Sequence, residues 1–183
     1  MNEANATFRL AMAQMRVAGG LPDLNLSRAG SLIAEAAGNG ADIVLLPEAL
    51  DLGWGDPCAA DLAQGIPGGA SSGALCRAAF ENRVWVCAGI VEREGDHIYN
   101  SAMLIDRAGA IPTVHRKVNE LDFARELYTT GESAGVVETE FGPVGVMICA
   151  DAFIENHTVS RLCGFDRNEM FSPSATRSGP MSL

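Results

Sequence analysis

Residues 25–46, NLSRAGSLIAEAAGNGADIVLL, decide the fold. Over 25–37, Leu26, Ala29, Ile33 and Ala36 fall on one helical face, which predicts an amphipathic helix. Gly38 and Gly40 stop it, and 41–46 (ADIVLL) is a short continuous apolar run of the kind found in strands covered on both faces. Upstream, 8–17 (FRLAMAQMRV) reads as a strand, so the chain opens as strand, helix, strand.

Downstream, 71–83 (SSGALCRAAFENR) predicts a second helix capped by Ser71 or Ser72, and 84–91 (VWVCAGIV) predicts another buried strand. A polar turn at 93–97 leads into strands at 98–106 and 110–115, joined by 107–109, and a further hairpin over 136–148 turns at Phe141 to Pro143 and ends at Cys149. Helices early and hairpins later predict an α/β layered fold with a mixed sheet, rather than a purely parallel one. A last strand is expected at 170–175, and no internal repeat or linker interrupts the chain.

The 183 residues suit one domain, and 48% hydrophobic against 20% charged residues supplies a core and argues against disorder. Thirteen Lys and Arg against 23 Asp and Glu give a net charge of -10, a field that repels nucleic acid and anionic membranes. Five cysteines, at 58, 76, 87, 149 and 163, form no CxxC pair, and the N-terminus lacks a signal-peptide pattern, so a reducing, cytoplasmic setting is expected. His97, His115 and His157 lie at no zinc-like spacing, so no metal is expected; the glycine-rich stretch 65–73 lacks phosphate-binding spacings and reads as a surface loop.

Three reactive residues stand at the ends of apolar strands, where α/β folds place chemistry: Glu48 after ADIVLLP, Lys117 in His-Arg-Lys, and Cys149 after VGVMI. Taken singly, each is as readily a solvated acid, a surface lysine or a packing thiol. Together, a carboxylate, an ammonium and a thiol can build one site. Trp54, in the loop just after Glu48, is the better aromatic for a substrate pocket, whereas Trp85 reads as core.

LLPEAL around Glu48, HRK around Lys117 and GVMICAD around Cys149 resemble, in order and separation, the three catalytic motifs of the nitrilase superfamily, the carbon-nitrogen hydrolases. The opening AMAQ strand, YNSAMLID and Gly131 extend the resemblance to about Arg161. It implies a four-layer αββα sandwich and a cysteine-dependent amidohydrolase, cleaving a small linear amide or N-carbamoyl compound, with nitrile hydrolysis by the same triad as the alternative. It implies no cofactor, and a homodimer or higher assembly with 153–164 in the interface. A second glutamate normally orients the lysine; Glu126 is the best match because a glycine follows five residues later, while Glu120 and Asp122 lie nearer Lys117. The N–H of Ala150 would join Lys117 in stabilising an oxyanion. Asp151 leans toward the amide-hydrolysing branches and is expected to contact substrate.

Family members continue through further strands and a helix beyond the segment matched by 170–175. The chain is therefore expected to be a single hydrolase domain over 1–183, incomplete at its C-terminal end, whose activity as it stands is open. A catalytically silent fragment, or an interaction partner using an exposed sheet edge, is the reading from another class.

Overall fold

The computed structural model describes residues 7–152. Strand β1 (Leu10–Met12) is much shorter than the apolar run around it and is followed by helix α1 (Pro22–Gly38). Pro22 opens α1 because its fixed φ suits a first turn, where its missing N–H is not needed. Ala29 and Ile33 are buried along the expected face, with Leu26 and Ala36 packed beside them. The helix stops at Gly38, with Gly40 following at φ +81°, a conformation glycine adopts without strain.

Strand β2 (Ile43–Leu45) is buried throughout. A short helix α2 (Ala59–Leu62), which the sequence pattern did not predict, precedes helix α3 (Ala70–Asn82). The cap of α3 is Gly69, not Ser71 or Ser72: the serines lie inside the first turn and are buried, and the Gln64 side chain accepts the Ala70 N–H. Strands β3 (Trp85–Glu94) and β4 (His97–Ile105) form a long antiparallel hairpin closed by Gly95 and Asp96, with β5 (Thr113–Arg116) beyond it.

The sheet runs β1-β2-β3-β4-β5, parallel across the first three strands and antiparallel across the last three, as the mixed-sheet reading requires. Strand alternation then sorts side chains to two faces. Val44, Val86, Ala88, Met103 and Ile105 pack under α1 and α3 with Ile33 and Leu75. Ile43, Leu45, Trp85, Cys87, Ala102 and Leu104 pack instead against Val144, Val146 and Ile148, which belong to or follow a second, two-stranded sheet, β6 (Val136–Thr139) and β7 (Gly142–Gly145). Its turn falls at Glu140 and Phe141, slightly earlier than expected. Helices, sheet and second sheet are three layers of the expected four. The strand expected at 170–175, the interface expected at 153–164, His157 and Cys163 lie outside the described residues.

Candidate active site

The loop after β2 is pressed onto β3. Leu46 N–H donates to Cys87 O (2.8 Å), Gly89 N–H to Pro47 O (3.2 Å) and Leu50 N–H to Gly89 O (2.8 Å), so Glu48 sits directly over Gly89. A Cβ at position 89 would stand 2.7 Å from Glu48 Cα and 3.0 Å from Pro47 O, so only glycine lets the two backbones approach this closely. Asp51 secures the far end of the loop: its Oδ1 accepts the N–H of Val91 (3.0 Å), and its carbonyl accepts Asn25 Nδ2 (2.8 Å) from α1. Gly89→Ala is expected to displace Glu48, lowering turnover by about 100-fold and stability by about 1–3 kcal/mol; paired kcat/KM and urea-melt measurements check this.

Period-two alternation at the end of β5 aims successive side chains at opposite faces. Arg116 turns to the helix face, where the buried Glu92 takes its Nη2 (2.6 Å) and Nε (2.9 Å) and Tyr99 lies under its guanidinium (4.1 Å). Lys117 turns to the other face. It is 1% exposed, and its Nζ donates to Glu48 Oε1 (2.8 Å) and stands 3.5 Å from Glu120 Oε2. Asn100 Nδ2 donates to the same Glu48 oxygen (2.6 Å), which fixes that carboxylate from β4. Burial works against the Lys117 ammonium, but the Glu48 hydrogen bond and the charges of Glu48, Glu120 and Cys149 outweigh it and hold its pKa above the ordinary lysine value. Burial pushes the Glu120 carboxyl up; Lys117 pulls it back and the Glu48 charge adds to the rise.

Cys149 opens a 3-10 turn, Cys149–Ala152, directly after the apolar run Val146 to Ile148. Its φ is +44°, the left-handed region that a residue with a Cβ enters at a cost of about 1–2 kcal/mol. Its thiol is partly buried at the edge of the core shared by the two sheets. The other described thiols are held toward the neutral form: burial pushes Cys87 up to about 12, burial together with Asp56 pushes Cys58 up to about 11, and burial with the Asp106 charge raises Cys76.

Glu48, Lys117 and Cys149 thus fall in one region, with Ala150 next in the same turn. Two sequence expectations are corrected. Glu126 is exposed in a second 3-10 turn, Asp122–Glu126, with Asp122 also exposed, and the acid that faces the lysine is Glu120, which is buried beside it. Asp151, expected to contact substrate, turns inward. It is 2% exposed, and both its oxygens are taken by backbone N–H groups and by His115 Nε2 at 2.7 Å. His115 was not singled out in the sequence, although its place two residues before Lys117 on a strand put both side chains on one face.

Trp54 is 38% exposed beside the site, its ring 5.6 Å from Lys117 Nζ and edge-on to Phe123 at 5.4 Å. Tyr128 Oη accepts the Gly55 N–H (3.0 Å) and steadies that loop. Among the described residues no three His, Cys, Asp or Glu side chains converge on a position that could hold a metal ion, and no helix is long and apolar enough to cross a membrane.

The carbon-nitrogen hydrolase family model matches residues 9–162. The chain belongs to the carbon-nitrogen hydrolase family. Among its relatives in that family, a nitrilase of Pyrococcus abyssi is 36% identical over 136 residues, 72% of this chain and 52% of the relative. An omega-amidase of Danio rerio is 34% identical over 154 residues, 79% of this chain and 55% of the relative. The chain spans about half the length of the curated relatives it matches. Among solved structures, the amidase of Nesterenkonia sp. AN1 superposes with a TM-score of 0.80 at 19% identity, over 91% of this chain and 66% of that one. Nit3 of Saccharomyces cerevisiae, a nitrilase-superfamily member, superposes with a TM-score of 0.79 at 24% identity, over 93% and 65%. These likenesses establish the nitrilase-type fold. The Nesterenkonia amidase has been solved with acrylamide added to its active-site cysteine and, as a cysteine-to-alanine variant, with butyramide.

Proposed function

We propose that this chain carries the catalytic groups of a cysteine-dependent amide hydrolase acting on small linear amides or N-carbamoyl compounds. The observation that carries the reading is the buried Lys117 ammonium, bonded to Glu48 on one side, facing Glu120 on the other, and within the field of Cys149. Glu48 takes the thiol proton as Cys149 attacks the amide carbon. Negative charge develops on the carbonyl oxygen, where Lys117 and the Ala150 N–H stabilise it, each donor contributing about 3–4 kcal/mol. Collapse breaks the C–N bond, and ammonia or an amine leaves with the proton held by Glu48. A thioester remains on Cys149. Glu48 then deprotonates a water, which attacks the thioester and returns the thiol and a carboxylic acid.

Glu120 orients Lys117 in this scheme, and Trp54 with Phe123 forms one wall for the acyl group. A nitrile would meet the same thiol and pass through a thioimidate, and a relative named as a nitrilase keeps that reading alive; matched amide and nitrile substrates separate the two. The family resemblance supports one hydrolase domain that assembles with copies of itself, and the cysteine pattern supports a cytoplasmic setting.

Timed alkylation with iodoacetamide, followed by peptide mass spectrometry in the parent and in Glu48→Gln, tests the assembled site without a known substrate. Cys149 is expected to label at least 10-fold faster than Cys58, Cys76 and Cys87, and to lose that advantage in Glu48→Gln. Equal labelling of these four thiols in the folded parent would show that the motifs persist without a working site.

A further inference from the structure

One carboxylate ties the lysine segment to the cysteine turn. Asp151 Oδ1 accepts the N–H groups of Val118 (3.1 Å) and Asn119 (2.8 Å), the two residues after Lys117. Asp151 Oδ2 accepts the N–H of Ile148 (3.2 Å), the residue before Cys149, and lies 2.7 Å from Nε2 of His115. The Asp151 N–H returns to Ile148 O (3.0 Å), so a reciprocal pair of bonds closes the chain around Cys149 and Ala150. A carboxylate oxygen only accepts, so the bond from His115 is made by the tautomer that carries its proton on Nε2.

We propose that Asp151, with His115 behind it, is the positioning residue that holds Cys149 in its left-handed turn and at a fixed separation from Lys117. A non-glycine residue stays at positive φ only where its surroundings over-determine it, and here five hydrogen-bonding groups converge on one side chain and its own N–H. The partners lie 32, 33 and 36 residues away at the lysine segment and 3 residues away at the turn, so the same carboxylate sets the shape of the turn and its place in the site. Charge serves this purpose: a neutral amide of the same size would turn an NH2 group toward Ile148 N–H and His115, or toward Val118 and Asn119 N–H, and one half of the tie would open.

The inference rests on the proposed role of Cys149 as nucleophile, and its test is read separately from that role. Iodoacetamide labelling of Cys149 is followed across pH 6 to 9 in the parent, Asp151→Asn, His115→Leu and His115→Gln, with Cys76 as internal reference and thermal melts alongside. Amide exchange at Val118, Asn119 and Ile148 is recorded by NMR in the same proteins. The expected result is a fall of at least 10-fold in Cys149 labelling in Asp151→Asn and His115→Leu, with a shifted pH profile, unchanged Cys76 labelling, and joint loss of protection at the three amides. His115→Gln, whose side-chain N–H can still reach Oδ2, is expected to stay within about threefold of the parent. Parent-like labelling, pH profile and exchange in His115→Leu and in Asp151→Asn, even with lowered melting temperatures, would overturn the proposal, and His115→Leu alone decides it if Asp151→Asn does not fold. Failure of the Glu48 dependence in the parent overturns the proposed function instead, since the variant-to-parent ratio and the amide exchange do not depend on Glu48.

Discussion

Cys149→Ala is expected to abolish amide hydrolysis, lowering kcat by about 10⁴-fold or more, while the protein melts within a few degrees of the parent. The two halves of that expectation have different physical origins. No neighbouring group among the described residues can replace the thiol: Cys87 is fully within the core with its pKa pushed to about 12, and Cys58 and Cys76 lie in other packing clusters. The loss in packing is small, because the thiol is only partly buried and one sulfur atom is removed from the margin of a core centred on Leu45, Leu104 and Ile148. Alanine also keeps the strain of a Cβ at positive φ, so the backbone is not given a cheaper way to relax. Ammonia release from a panel of small amides, with a thermal melt on the same samples, checks both. Retained ammonia release at the parent rate would remove Cys149 from the mechanism.

What could be read from the sequence follows from the range of the interactions involved. α1, α3 and the strands of the central sheet announce themselves because their burial patterns repeat locally, every three to four residues or every two. Glu48, Lys117 and Cys149 drew notice because each sits where such a pattern ends, and the resemblance of their motifs to a known family joined them into one proposed site. The acid beside Lys117 could not be settled that way. Glu120 and Glu126 are both a few residues beyond the strand, and only the fold-back of that loop, which buries the first and leaves the second in an exposed 3-10 turn, separates them. Asp151 misled for a related reason: two residues after a nucleophile suggests the pocket, yet a 3-10 turn carries that side chain inward, onto amides 32 and 33 residues earlier in the chain. The Gly69 cap was hidden because its supporting acceptor, Gln64, comes from the preceding loop rather than from the capping position.

Lys117→Met tests the electrostatic core of the site, because it leaves Glu48 and the buried Glu120 facing each other with their shared cation removed. Removing one partner of a buried ion pair costs about 3–5 kcal/mol, so at neutral pH this substitution is expected to be among the most destabilising in the chain as well as inactivating. The cost should depend on pH, and its sign follows from Glu120. Burial already raises that carboxyl above 4.5, and Lys117 opposes the rise, so without the lysine the folded pKa climbs further. A carboxyl that binds its proton more tightly folded than unfolded contributes stability that is complete below about pH 4.5 and is lost as pH rises through the folded value, at up to about 1.4 kcal/mol per pH unit. In the parent, the raised Lys117 pKa acts at the other end of the scale: the lysine's contribution is fully present below about pH 10.5 and is lost only as pH rises above it. The stability gap between parent and Lys117→Met should therefore be smaller near pH 5 than at pH 8. Urea melts at pH 5, 6.5 and 8 measure it, and a gap that does not change with pH would mean that Glu120 is not held against Lys117 by charge.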